Sequence, residues 1–170
     1  MGTGVLALIL AEFGTFSSLF WQWGTSLWLF NTALFMFFCV LYGLRWMLFP
    51  QEAKQIFSHP SMSLFLGAIP MALATIINGC LKFGVAFNAD VFIQIAQVLW
   101  YVDVFLAVAI AWTVPICMYS LQKHALKDMS ALWLLPIVAC EVAASSGGLL
   151  LQHLAMGQQA VGILFASYVL

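Results

Sequence analysis

The sequence predicts an all-α membrane fold: helical hairpin repeats around a central pore, with kinked inner helices and bulky outer helices. Three observations predict it. The first is composition: of 170 residues, 65% are hydrophobic and only 6% charged. A soluble domain carries about 25% charged residues, so this chain cannot cover itself with a water-compatible surface. The second is pattern: apolar runs of roughly 20 residues alternate with short polar joints, which is the signature of spanning helices. A barrel would show segments of about 10 residues alternating polar and apolar, and the sequence has none. The third is a repeat. SMSLFLGAIPMALATIING (61–79) and SALWLLPIVACEVAASSGG (130–148) share one design: a serine after a polar joint, an apolar stretch, a proline, then small and hydroxyl residues.

In chain order, residues 1–11 form a partial span, since 11 residues rise only ~17 Å as a helix. Full spans follow at 25–49, 61–81, 91–119 and 130–154, and a second partial span at 158–170. The sequence reads as a single transmembrane domain, 1–170, truncated at both ends. Pro50 stops the second run, and Ser61 or Ser63 caps the third. Arg45 and Lys54 flank one joint, Lys123 and Lys127 another, and Lys82 stands alone on the opposite side. By the positive-inside rule the loops 50–60 and 120–129 are cytoplasmic, in a multi-pass protein of the inner or plasma membrane.

Pro70 and Pro136 recur at a spacing of roughly 66 residues, the length of a helical hairpin repeat. Odd-numbered spans are rich in small residues, whereas even ones carry Trp28, Phe35, Phe37, Phe38, Trp46, Trp100, Phe105 and Trp112. Small residues let helices crowd an axis, so the odd spans belong inside and the bulky spans face lipid. A mid-span proline frees backbone carbonyls, tolerated only where they meet another helix or water. Two at matching places point to helices bent around a shared cavity.

The residues expected to line that cavity are Thr3, Pro70, Thr75, Asn78, Pro136, Glu141, Ser145 and Ser146. Thr75 and Asn78 share a helix face, as do Glu141 and Ser145. A carboxylate near mid-bilayer costs at least about 2.5–3.5 kcal/mol on insertion scales, so Glu141 faces water, holds a proton or pairs with a cation. It is the candidate for proton coupling; the plain alternative is a protonated acid bonded inside the bundle. Asp103, on a bulky span, is expected to make a structural bond to a neighbouring helix. The net charge of −1 offers nothing to nucleic acid. The four cysteines lie in apolar runs without CxxC or zinc spacing, and no metal, cofactor or catalytic residue is expected. No HExxH, GxSxG, Walker or Rossmann pattern is present; Asp103 with Glu141 is the only pair an intramembrane enzyme would have.

MGTG at the start, HPSMSLFLGAIPMALATIIN, WYVDVFLAVA and LWLLPIVACEVAASSGGLL resemble the tellurite-resistance/dicarboxylate transporter family. That family includes bacterial tellurite-resistance proteins, fungal malate permeases, sulfite efflux pumps and the plant guard-cell slow anion channel. The resemblance implies ten helices in five hairpins, odd helices kinked at prolines around a pore, and homotrimers when full length. About half of those helices are represented here, and the family's occluding phenylalanine belongs to a helix outside this stretch. The resemblance implies transport of a small anion, a C4-dicarboxylate such as malate or sulfite, across the lipid bilayer. Glu141 would repel an anion in a simple channel and suits a proton-coupled carrier better. The alternatives are a passive anion channel and a structural subunit of a membrane complex.

Overall fold

A computed structural model describes residues 2–57, 59–120 and 130–153, with backbone alone at residues 60 and 61. The joint with Lys123, His124 and Lys127 and the run at 158–170 lie outside the described residues. Among the described residues the fold is all-α, without strands. The helices are α1 (Gly2–Phe13), α2 (Ser18–Leu48), α3 (Pro50–Lys54), α4 (Pro60–Leu64), α5 (Ala68–Lys82), α6 (Ala89–Ser120) and α7 (Leu135–Leu151). Among the described residues four helical segments are long and apolar enough to cross a membrane: Ser18–Leu48, Met62–Ala86, Ala89–Ser120 and Ala131–Leu151.

Local chemistry sets the boundaries. α1 ends at a turn through Gly14, and Ser17 caps α2, its hydroxyl accepting from the Leu19 amide at 3.4 Å. α2 therefore begins at Ser18, ahead of residue 25 where the apolar run begins. It ends just before Pro50, whose ring disfavours helical geometry in the preceding residue; Phe49 accordingly leaves helical geometry, at φ −131° and ψ 60°. The cap of α4 is not a serine: His59 Nδ1 accepts from the Met62 amide at 3.4 Å.

The small-residue helices α1, α5 and α7 pack in a row, with α2 against α1 and α5, and α6 against α5 and α7. α5 is the most buried span and α2 the least. Leu29, Phe30, Phe37 and Phe38 of α2 and Val98, Phe105, Trp112 and Ile116 of α6 are exposed. Such an apolar surface is stable only against lipid or further helices.

Two clusters hold the bundle. Trp28, Ile77, Phe83, Trp100 and Leu150 join α2, α5, α6 and α7. Met71, Ala107, Ala139, Cys140 and Ala143 seal the α5–α6–α7 contact. Close approach depends on glycine at two places: Trp28 lies directly on Gly79, and a Cβ on Gly4 would sit 2.5 Å from Thr75 Oγ1.

The prolines sit differently from the expected mid-helix kinks. Pro70 lies in the first turn of α5, after a 3-10 turn at Phe65–Gly67. Pro136 lies in the first turn of α7, after one at Ala131–Leu134. The amides of a first turn have no intrahelical acceptor, so neither proline breaks an α-helical bond there. Pro115 is the proline inside a helix, α6.

Candidate functional site

Three helices bring polar side chains together at one level. Thr3 of α1 donates from Oγ1 to Asn31 Oδ1 of α2 at 2.7 Å. Asn31 Nδ2 donates to Thr75 Oγ1 of α5 at 3.5 Å, a long contact. Thr75 in turn donates to the Ala72 carbonyl of its own helix at 2.7 Å. Asn31 is 7% exposed and Thr75 5%, so each needs these partners. An unpaired amide in an apolar bundle costs far more than one that is bonded.

Thr3 and Asn31 of this cluster line one end of a groove of about 600 Å³ between the C-terminal half of α2 and the α4–α5 segment; Thr75 lies behind them and does not line it. Leu34, Phe35, Phe38, Tyr42, Phe65 and Ala72 form its apolar walls, and Arg45 stands at the other end. Asn31 and Arg45 are fourteen positions apart on α2, about 21 Å of helix. Among the described residues that line the groove, Arg45 is the one that is charged and none is an acid. Both threonine hydroxyl hydrogens are already donated, which leaves one Asn31 amide hydrogen at this end; with the guanidinium at the other end, the groove suits an anion or a neutral hydrogen-bonding solute and disfavours a cation.

The other expected residues are distributed as follows. Pro70, Pro136 and Ser146 are buried between helices; Ser146 donates to the Val142 carbonyl at 3.1 Å. Asn78 is half-buried, and its Oδ1 has no partner among the described residues. Glu141 and Ser145 are both exposed, one turn apart on the outer face of α7. The structure thus brings Thr3 and Thr75 together and leaves Glu141 and Ser145 apart from them. Asp103 makes no bond to a neighbour: it is 0% exposed, yet neither carboxyl oxygen has a partner among the described residues. That corrects the expectation of a structural hydrogen bond there.

Asn31 is the residue that pattern reading passes over. Its signal is present: a single amide in WLFNTALF, an otherwise apolar stretch of a lipid-facing helix. Polar residues in such stretches turn inward and pair. Asn31→Leu is expected to release Thr3 and destabilise the bundle by about 1 kcal/mol, the scale of polar contacts between membrane helices. Equilibrium unfolding in mixed micelles measures it; a variant as stable as the parent would show the cluster to be energetically idle.

Comparison with known proteins agrees with this architecture. The family model described as SLAC1, voltage-dependent anion channel, matches residues 1–170. The sulfite efflux pump of Arthroderma otae is 35% identical over 171 residues, covering 100% of this chain and 45% of the pump. The sulfite efflux pump of Trichophyton rubrum is 34% identical, over 91% of this chain and 41% of the pump. An uncharacterised transporter of Methanocaldococcus jannaschii is 28% identical over 91% of this chain and 43% of its own length. No solved structure matches. The chain spans less than half the length of these relatives, and its four apolar spans make it a multi-pass membrane protein. It belongs to the SLAC1 voltage-dependent anion channel family.

Proposed function

We propose that this chain forms part of a pathway for small anions, with sulfite as the transported species in preference to malate. The observation that carries the reading is the acid-free groove, with Arg45 at one end and Thr3 and Asn31, the latter held by Thr75, at the other. The preference for sulfite rests on the relatives at 34–35% identity, which are sulfite efflux pumps. The reading involves no chemical step. The groove's open end lies on the cytoplasmic side of a plasma membrane, where Arg45 and Lys54 cluster. Lys82, at the opposite end, is held by Glu12 at 2.6 Å, so it adds little free positive charge there. The working assembly is a homotrimer, as the resemblance implies.

Glu141 and Ser145 form the second part of the proposal. They share the exposed face of α7, where a carboxylate can meet water or further helices. Glu141 there couples anion passage to a proton. The test is a chimera: this chain replaces the matching 171 residues of the Arthroderma otae pump, and sulfite and malate efflux are followed from vesicles under imposed pH gradients. Sulfite flux that follows the gradient, and loses that dependence with Glu141→Gln, is the expected result. Flux that responds only to voltage in both proteins points to a passive channel, and a chimera that moves neither anion removes the reading.

A further inference from the structure

Asp103 stands apart from everything described above. It lies on the buried seam of α6 with Ala96, Trp100, Ala107 and Val114, spaced three or four residues apart except for one skipped turn, so the seam is one continuous face. The carboxyl is wholly enclosed, and neither oxygen has a hydrogen-bond partner among the described residues. The indole of Trp100, one turn earlier on the same helix, is already committed: its Nε1 donates to the Ala143 carbonyl of α7 at 2.9 Å. Across the seam stand Ala139, Cys140 and Ala143 of α7 and Met71 of α5.

Among the described residues no cation serves it. The charged residue of α5 is Lys82, in its last turn and paired with Glu12. α4 and the 3-10 turns at Phe65–Gly67 and Gly84–Ala86, which also touch α6, contain no ionisable residue. From α7 the titratable group facing it is the Cys140 thiol; Glu141, the next residue, is turned outward and exposed. No group of three metal-ligating side chains forms among the described residues. An ionised carboxylate in such a seam would bear its full desolvation penalty without compensation. The neutral acid bears far less.

We propose that Asp103 is a proton-binding site built into the α6–α7 seam: the seam closes on the neutral acid and opens when the proton leaves to entering water. Raising pH therefore favours the open seam, because the open form releases a proton that the closed form holds. This goes beyond the anion reading and stands independently of it, since its readouts involve no transport.

Two measurements on the chain in lipid vesicles test it. Infrared spectroscopy should show a protonated carboxyl band at neutral pH that is lost in Asp103→Asn. Maleimide labelling, read for each cysteine by mass spectrometry, should compare the parent with the Asp103→Asn variant, whose side-chain amide is neutral at every pH. Cys140 is 2% exposed and Cys39 exposed. The parent-to-variant ratio of Cys140 labelling rates should be near one in acid and climb as pH rises, by at most about tenfold per pH unit for one linked proton. The ratio for Cys39 should stay flat. Cys140 ratios that stay flat as well, or no carboxyl band attributable to Asp103, overturn the proposal. If the variant does not fold, the parent alone decides: the band must fade over the pH interval in which Cys140 becomes reactive, and a band that fades while Cys140 stays closed overturns it.

Discussion

Trp100→Ala is expected to destabilise the chain by about 3–5 kcal/mol, the usual cost of removing a fully buried large aromatic side chain. Trp100 is 0% exposed and sits where α5, α6 and α7 meet. Its indole fills the seam and also ties α6 to α7 through the Ala143 carbonyl. Trp100→Phe separates the two contributions. It retains most of the apolar area and loses the hydrogen bond, so it should cost nearer 1 kcal/mol. Denaturant titration of both variants in mixed micelles measures the difference. Equal losses would mean that the hydrogen bond, and not the ring volume, holds the seam.

Gly79→Ala is expected to cost about 3 kcal/mol, at the upper end for overpacking. The Trp28 indole lies where the new methyl group would go, meeting it through Nε1 and Cδ1. Trp28 cannot swing away cheaply, being stacked on Phe83 with ring centroids 5.8 Å apart and edge-on to Phe92 at 6.5 Å. Shrinking the partner should relieve the clash. Trp28→Leu combined with Gly79→Ala should be less damaged than the sum of the two, with a coupling energy of about 0.5–3 kcal/mol. Strict additivity would show that the methyl group is accommodated elsewhere.

These two sites show how much is legible in the sequence. The alternation of small-residue and bulky spans predicts which helices lie inside, because side-chain volume limits how closely helix axes approach. The same pattern turns the tryptophans of bulky spans toward lipid, and for Trp112 that holds. Trp28 and Trp100 face inward instead, each seated against small residues of a neighbouring helix. Partner identity of that kind is a tertiary fact that no single-span pattern contains. The shared face of Glu141 and Ser145 follows from helical periodicity and is legible. The expectation that Ser145 and Ser146 line one cavity together meets the geometry of adjacent helical residues, about 100° apart: Ser145 is exposed and Ser146 buried. Asn31 is visible as a polar exception, but its partners, Thr3 and Thr75, come from distant positions. Asp103 is legible as a buried acid, whereas its lack of a hydrogen-bond partner is a tertiary fact.

The short tight turns ahead of Pro70 and Pro136 have a geometric consequence. A 3-10 segment advances about 120° per residue against about 100° for an α-helix, and rises about 2.0 Å against 1.5 Å. Three residues, Phe65–Gly67, therefore shift the angular phase of everything downstream by about 60°, and four residues, Ala131–Leu134, by about 80°. A helical wheel drawn from Ser63 with one constant step points Thr75 and Asn78 in the wrong direction. The direction in which α5 aims its amide and hydroxyl is thus fixed by Phe65, Leu66 and Gly67, which carry no polar side chain, and those three residues act as a phase plate for the polar residues beyond them.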